Sequence, residues 1–435
     1  MKRLLFIVFC LFFYCGNSYS ADCGDATVVD CALTSSDDEI VMSDSGTVTI
    51  TSSGSIIVND HDGGGLIQLP ASTSNLTIIN NGTLQIGEYD GVGSETTEHN
   101  TIGATGAATN VTITNSGVIA ASGRHAINLK AAEGDITITN KAGAIMTCLS
   151  DNSNGCVNLE TAGSTTAGDI KITNAGTIIA QGPAHGGDAH RTGGNAQSDT
   201  WSASRISAGD YTGYAQFSHH ALRLTNITNE GTITVDNSGT IESQACCALD
   251  FNSTTDAITA TNSGTIKADT AQTIAARYTT NLTIDNSGTI TGAGTTNKAG
   301  TNDSDKASIV LSNLNGGSGN GAAITNSGTI QAGGNDYHAI TIGTADTGSL
   351  GYDNVTITNS GTIAGDQTTG DGVAGHAIRV LADSSGTTIT VKGEAVFTGG
   401  IDLGKTTSTI VLDSSISTNI TINIYNYKDD EIMEY

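Results

Sequence analysis

The chain has 435 residues, 55 of them Gly and only 2 Pro, with 4% aromatics and a formal net charge of -26. So acidic a chain, with no basic stripe to displace counterions from phosphates, excludes nucleic acid as a partner. The Ile, Val and Leu that recur among its abundant Thr, Ser and Asn exclude a disordered chain.

In chain order, residues 1–20 read as a secretory signal peptide. Lys2 and Arg3 precede the apolar run Leu4 to Tyr14, and small residues at Ser18 and Ser20 place cleavage before Ala21. The run is too short to span a bilayer as a stable anchor. Cys15 follows the bulky Tyr14, which argues against a lipid-attachment site. Residues 21–44 form an N-terminal cap with the pair Cys23 and Cys31, and 45–400 carry repeats. Residues 401–435 make a closing rung with a charged tail. Six cysteines follow the signal peptide, and export favours their oxidation where geometry allows. Cys23 with Cys31, and Cys148 with Cys156, are the candidate disulfides because each pair encloses a short loop. Cys246 and Cys247 are expected as buried thiols, since adjacent strand residues point to opposite faces.

The heptapeptide ITNSGTI occurs at Ile324 to Ile330 and again at Ile357 to Ile363, and as ITNSGVI at Ile113 to Ile119. Its Asn-x-Gly core, or a close variant, recurs at Asn80, Asn115, Asn174, Asn229, Asn237, Asn262, Asn286, Asn326 and Asn359, with a looser copy at Asn140. Between copies lies a second element, Ala-(Ile/Leu)-x-(Leu/Ile/Val/Phe), at Ala126, Ala221, Ala248, Ala339 and Ala377, with a variant at Cys156. Each repeat therefore holds three short alternating segments rich in β-branched residues, the signature of strands. No stretch after residue 20 carries a useful helical period.

Short strands that cannot hairpin onto themselves are satisfied by coiling, each pairing in parallel with its equivalent one turn on. The predicted fold is all-β: a single-stranded, right-handed parallel β-helix, a solenoid of the pectin-lyase-like kind. Rungs of about 25 to 30 residues give some 13 to 16 turns and a rod of roughly 60 to 75 Å. Ile357, Ile363, Ile378 and Val380 are expected inward. The bends are expected at Asn115/Gly117, Asn262/Gly264, Asn286/Gly288, Asn326/Gly328 and Asn359/Gly361. There Asn and Gly would tolerate left-handed backbone conformations, and stacked Asn side chains would form an amide ladder.

These repeats resemble the passenger region of bacterial autotransporters, over roughly residues 45 to 400; TGGIDLG at Thr398 to Gly404 looks like the closing rungs of such passengers. The resemblance implies a β-helix exported by a Gram-negative cell and displayed at its surface or outer membrane, or released. Such passengers normally precede a translocator barrel of many alternating strands, for which no room remains before Tyr435. The expectation is a passenger fragment of a longer gene that would supply an outer-membrane translocator, a separately exported relative that could stay periplasmic, or a truncated product without its own function.

His125, His220, His338 and His376 precede the Ala-Ile/Leu element, and Cys247 shares their position. Reiteration argues for corner residues, since a catalytic site needs its group once. The largest irregularity is the insertion 181–219. It supplies the candidate binding loop, with His185, His190, Arg191, Trp201, Tyr211, Tyr214 and Phe217 able to meet a host or surface glycan or protein. His185, Asp188 and His190 have no further ligand to complete a metal site, so neither metal nor cofactor is expected. Enzymes on this fold, notably pectin-cleaving ones, need gathered carboxylates, which here are scattered in sequence. The expected function is therefore a non-catalytic scaffold or adhesin, with a polysaccharide-acting enzyme as the alternative. The sequons at Asn75, Asn226 and Asn281 are expected by chance in so Thr-rich a chain.

Overall fold

A computed structural model describes most of residues 40 to 425, with short strands at 28–29, 32–33 and 433–434. Outside the described set lie 1–27 and connecting segments, chiefly 87–99, 182–219, 293–306, 313–318, 344–350 and 367–374. The described residues contain no helix. The fold is a right-handed parallel β-helix of three sheets with 14, 12 and 13 strands, plus a two-stranded corner sheet. In each sheet a strand pairs in parallel with the equivalent strand one turn on, as Thr356–Asn359 does with Ala323–Asn326. At about 4.8 Å per strand the first sheet is roughly 60 Å long. The coil begins within the span expected as a cap: Val28–Val29, Ala32–Leu33 and Ile40–Val41 already pair with the first sheet, the second and the third.

Within a rung the first-sheet strand runs into the Asn-x-Gly bend, the second-sheet strand follows, and the Ala-Ile/Leu element forms the third. Strands Thr356–Asn359, Thr362–Ala364 and Ile378–Val380 make one such turn. Inward residues stack on their equivalents: Ile357, Ile363, Ile378 and Val380 are fully buried, as are Ile324, Ile330, Ile340 and Ile342 one rung earlier. Alternation makes the first sheet amphipathic, buried inside and open outside. The third sheet differs, since His125–Leu129, Ala307–Ser312 and His338–Ile342 are buried along their whole length.

The bend Asn is turned inward. Nine of them, from Asn80 to Asn359, form a continuous ladder in which each Nδ2 donates to the next Oδ1 at 2.7 to 2.9 Å. The Nδ2 of every ladder Asn but the last, Asn359, also donates to a carbonyl one rung on, as Asn326 does to Thr362 at 3.0 Å. Buried amides are thereby satisfied, which low-dielectric surroundings demand. The ladder stops where Ile50 and Val391 take the equivalent position. Asn229 lies outside the described residues; Asn237 is the rung partner of Asn174.

The bend glycines are needed for a different reason from the one expected. Gly117, Gly264, Gly288, Gly328 and Gly361 do not have left-handed φ. A Cβ on Gly361 would instead collide with the carbonyl oxygen of Gly328 in the rung below. That oxygen accepts the N–H of Thr362 at 2.9 Å, so the two turns cannot separate. Left-handed residues gather at the opposite corner, leading into the first sheet, where Asn75, Asn110, Asn281 and Asn354 have φ of 54 to 56°. With Asn226 at 51°, all three sequon asparagines, Asn75, Asn226 and Asn281, thus have a structural reason for their identity.

Candidate functional site

The outer side of the third sheet brings together side chains that are far apart in sequence. His125, Gly155, His220 and Cys247 occupy one corner column, and His338 and His376 occupy its continuation. Ala221 and Ala377 follow the histidines and point into the core, and the register resumes with Leu222 and Ile378. Because both the Ala and the next residue turn inward, the histidine and the residue three positions on share the outer side.

That offset builds the same group twice. In the first, His220 Nε2 and Arg223 Nε each lie 3.5 Å from Asp250 Oδ2, the Asp facing Arg223 from the next rung. In the second, His376 Nε2 is 3.7 Å and Arg379 Nε 4.0 Å from Asp402 Oδ2, again across one rung. The sequences HALR and HAIR carry both halves. The first group is closed, its Asp side chain only 2% exposed. The second is more open: Tyr425, 45% exposed, leans on the His376 ring at 5.3 Å, and His338 stacks on its other side at 5.3 Å. The backbone N–H of His376 donates to His338 Nδ1 at 2.8 Å, which fixes the stack. Chemically, each group is a carboxylate balanced by a guanidinium beside an imidazole, able to hold a proton or orient a polar ligand.

The histidines share equivalent corner positions, as expected, and Cys247 stands in their column as a buried thiol that donates to Gln272 Oε1 at 3.4 Å. Arg223, Asp250, Arg379 and Asp402 were hidden in a sequence whose carboxylates look scattered. The signal for them was the repetition of His-Ala-(Leu/Ile)-Arg, followed one repeat later by Asp at the arginine's position.

Cys148 and Cys156 come together but stand as two thiols rather than as a disulfide. They sit on adjoining inner walls of one rung, in hydrogen-bond contact, and burial, then Cys156, pushes the Cys148 thiol well above its usual range. Cys23, Cys31 and Cys246 lie outside the described residues. So do His185, His190, Arg191, Trp201, Tyr211, Tyr214 and Phe217; their segment leaves the second sheet at Gln181 and rejoins the third at His220, beside the first His-Arg-Asp group. Among the described residues no cluster of His, Cys, Asp and Glu could hold a metal ion, and no helix is long and apolar enough to cross a membrane.

Comparison with protein-family models, with curated proteins and with solved structures returns no match.

Proposed function

We propose that the chain is an exported, non-catalytic β-helical scaffold of the autotransporter-passenger type, displayed at the cell surface or secreted. The nine-rung asparagine ladder carries this reading. It joins rung to rung along most of the rod with buried, satisfied amides, as suits a stiff stem that holds connecting segments away from a membrane. Rungs that contact only their neighbours also let the chain fold progressively as it emerges. The connecting segments, above all 181–219, are the surfaces for a host or surface glycan or protein.

Incubating the purified chain with acidic and neutral glycans tests this reading: saturable binding without cleavage is expected, and cleavage would sink it. A polysaccharide-acting enzyme is the second reading, favoured by the paired His-Arg-Asp groups. Cleavage abolished by Asp402→Asn or Asp250→Asn would establish it. Sequencing the DNA beyond Tyr435 separates a passenger joined to a barrel from a separately exported relative.

A further inference from the structure

On the outer face of the first sheet, one residue from each of twelve successive rungs stacks in a column from Thr47 to Thr409. Ten of the twelve are Thr, with Lys171 and Ala323 the exceptions. Two residues along each strand a second column runs from Thr49 to Val411 and holds eight Thr. Neither column suffers a register slip. The side chains are exposed or half-exposed throughout, as in Thr356–Asn359 and Thr387–Val391.

Strand propensity favours Thr on any half-buried pleated surface, yet it does not explain this pattern. The second sheet has one Thr column of its own, Thr177, Thr240, Thr265, Thr289, Thr329 and Thr362 on six successive rungs, but the column beside it reads Gln85, Ala120, Thr147, Ile179, Glu242 and Lys267, with Ala120 and Thr147 buried, so only the first sheet sets two Thr columns side by side. Charge is distributed just as selectively. The chain carries a formal -26, but the charged members of the two columns, Lys171, Asp236 and Asp285, fall in the middle, leaving four rungs at each end with none.

The columns form a two-dimensional lattice with a repeat of about 4.8 Å between rungs and about 6.7 Å between columns. Each Thr contributes a hydroxyl and a methyl on a side chain that is stiff at χ1. The asparagine ladder ends these same strands and restrains their spacing, the kind of side-chain ladder that keeps a long sheet flat. We propose that this face binds ice. Its repeats are of the size of the oxygen repeats on a prism face of hexagonal ice; the methyls hold water in cages between rungs, and the hydroxyls join that water to the crystal. The charge-free stretches of the two columns match a neutral, periodic surface, whereas a polyanionic glycan would find Lys171 as the one cation within them. This proposal stands apart from the passenger reading, and either can fail without the other.

The test is partition of the full chain into slowly growing ice in the presence of serum albumin. The chain should become several-fold enriched in the ice while albumin stays in the liquid, and it should show thermal hysteresis. A variant combining Thr112→Lys, Thr137→Lys, Thr356→Lys and Thr388→Lys should lose the enrichment while its circular dichroism and melting temperature are kept. Thr265→Lys with Thr289→Lys, on the second sheet, should retain it. Exclusion of the full chain from ice, enrichment that survives the four-fold variant, or binding to crystalline cellulose or chitin but not to ice would overturn the proposal.

Discussion

A methyl group on Gly361 would meet the Gly328 carbonyl oxygen and the Ser327 carbonyl carbon of the rung below. These are backbone atoms with little room to yield, so Gly361→Ala is expected to cost about 1–3 kcal/mol, as overpacking does, with loosening of the Thr362 N–H to Gly328 bond. Gly393 supplies the contrast, because its φ is +56° but nothing lies within 4 Å of the place a methyl would take. There Ala meets only left-handed strain, of about 1–2 kcal/mol. Urea midpoints compare the two, and a Gly361→Ala cost below that of Gly393→Ala would refute the close-approach account. Asp169 offers a pH test at the opposite corner. The N–H and hydroxyl of Thr232 donate to its Oδ1 at 2.7 and 3.0 Å and hold its carboxyl below the ordinary value of 3.8. A depressed folded value means that this stabilisation is present above the unfolded value and is lost as pH falls below about 3.8 through the folded one. Asn110 makes the same kind of contact with Asp135 N–H through a neutral amide. Asp169→Asn should therefore flatten the acid limb of a melting-temperature profile between about pH 5 and pH 2 and leave neutral pH nearly unchanged.

At the scale of the element, the third sheet departs from the inside-outside alternation that governs the first. Its outward column carries Asn128, Asn158, Arg223 and Asp250 on successive rungs, and Asp250 is buried there between a guanidinium and an imidazole. Removing one member of a buried charged group strands the others, so Asp250→Ala is expected to cost about 3–5 kcal/mol. Asp402→Ala should cost less, about 1–3 kcal/mol, because its partners stand at 3.7 and 4.0 Å and its side chain is 10% exposed against 2% for Asp250. Equal losses in urea unfolding would mean that burial does not set the difference. The strands, their order and the inward Ile of every rung were legible in the sequence, because period-two alternation and the Asn-x-Gly bend are local signals. The ladder was legible too, since it follows from stacking equal residues at equal positions. The conformation of the bend glycines was not, because the oxygen that forbids a side chain at Gly361 belongs to Gly328, in the preceding rung. The His-Arg-Asp groups escaped for a related reason. Arg379 and Asp402 meet only after the coil fixes the register of two rungs, and the inward turn of Ala377 and Ile378 places His376 beside Arg379.

For the whole molecule, the coil is a one-dimensional array in which each rung touches its neighbours, so stability should vary along its length. The ladder covers the rungs from Asn80 to Asn359, and Ile50 and Val391 interrupt it at either end. Bend amides within it, such as those of Thr265, Thr289 and Thr329, donate to Gly239, Gly264 and Gly288 across the rung boundary. These should be the slowest to exchange with deuterium, and those of Val396 and Asp413, past the end of the ladder, should exchange sooner. Asn262→Ala breaks the ladder in its middle. Asn237 Nδ2 loses its amide acceptor and keeps the Thr265 carbonyl, while Asn286 Oδ1 and the Thr289 carbonyl each lose a donor. Each group left buried without a partner costs about 1–3 kcal/mol. With coupling limited to neighbours, protection should fall in the rungs around Thr240, Thr265 and Thr289 and stay unchanged near Thr83 and Thr362. An equal loss of protection at all of these amides would show instead that the rod unfolds as a single cooperative unit, with the ladder transmitting the defect along its full length.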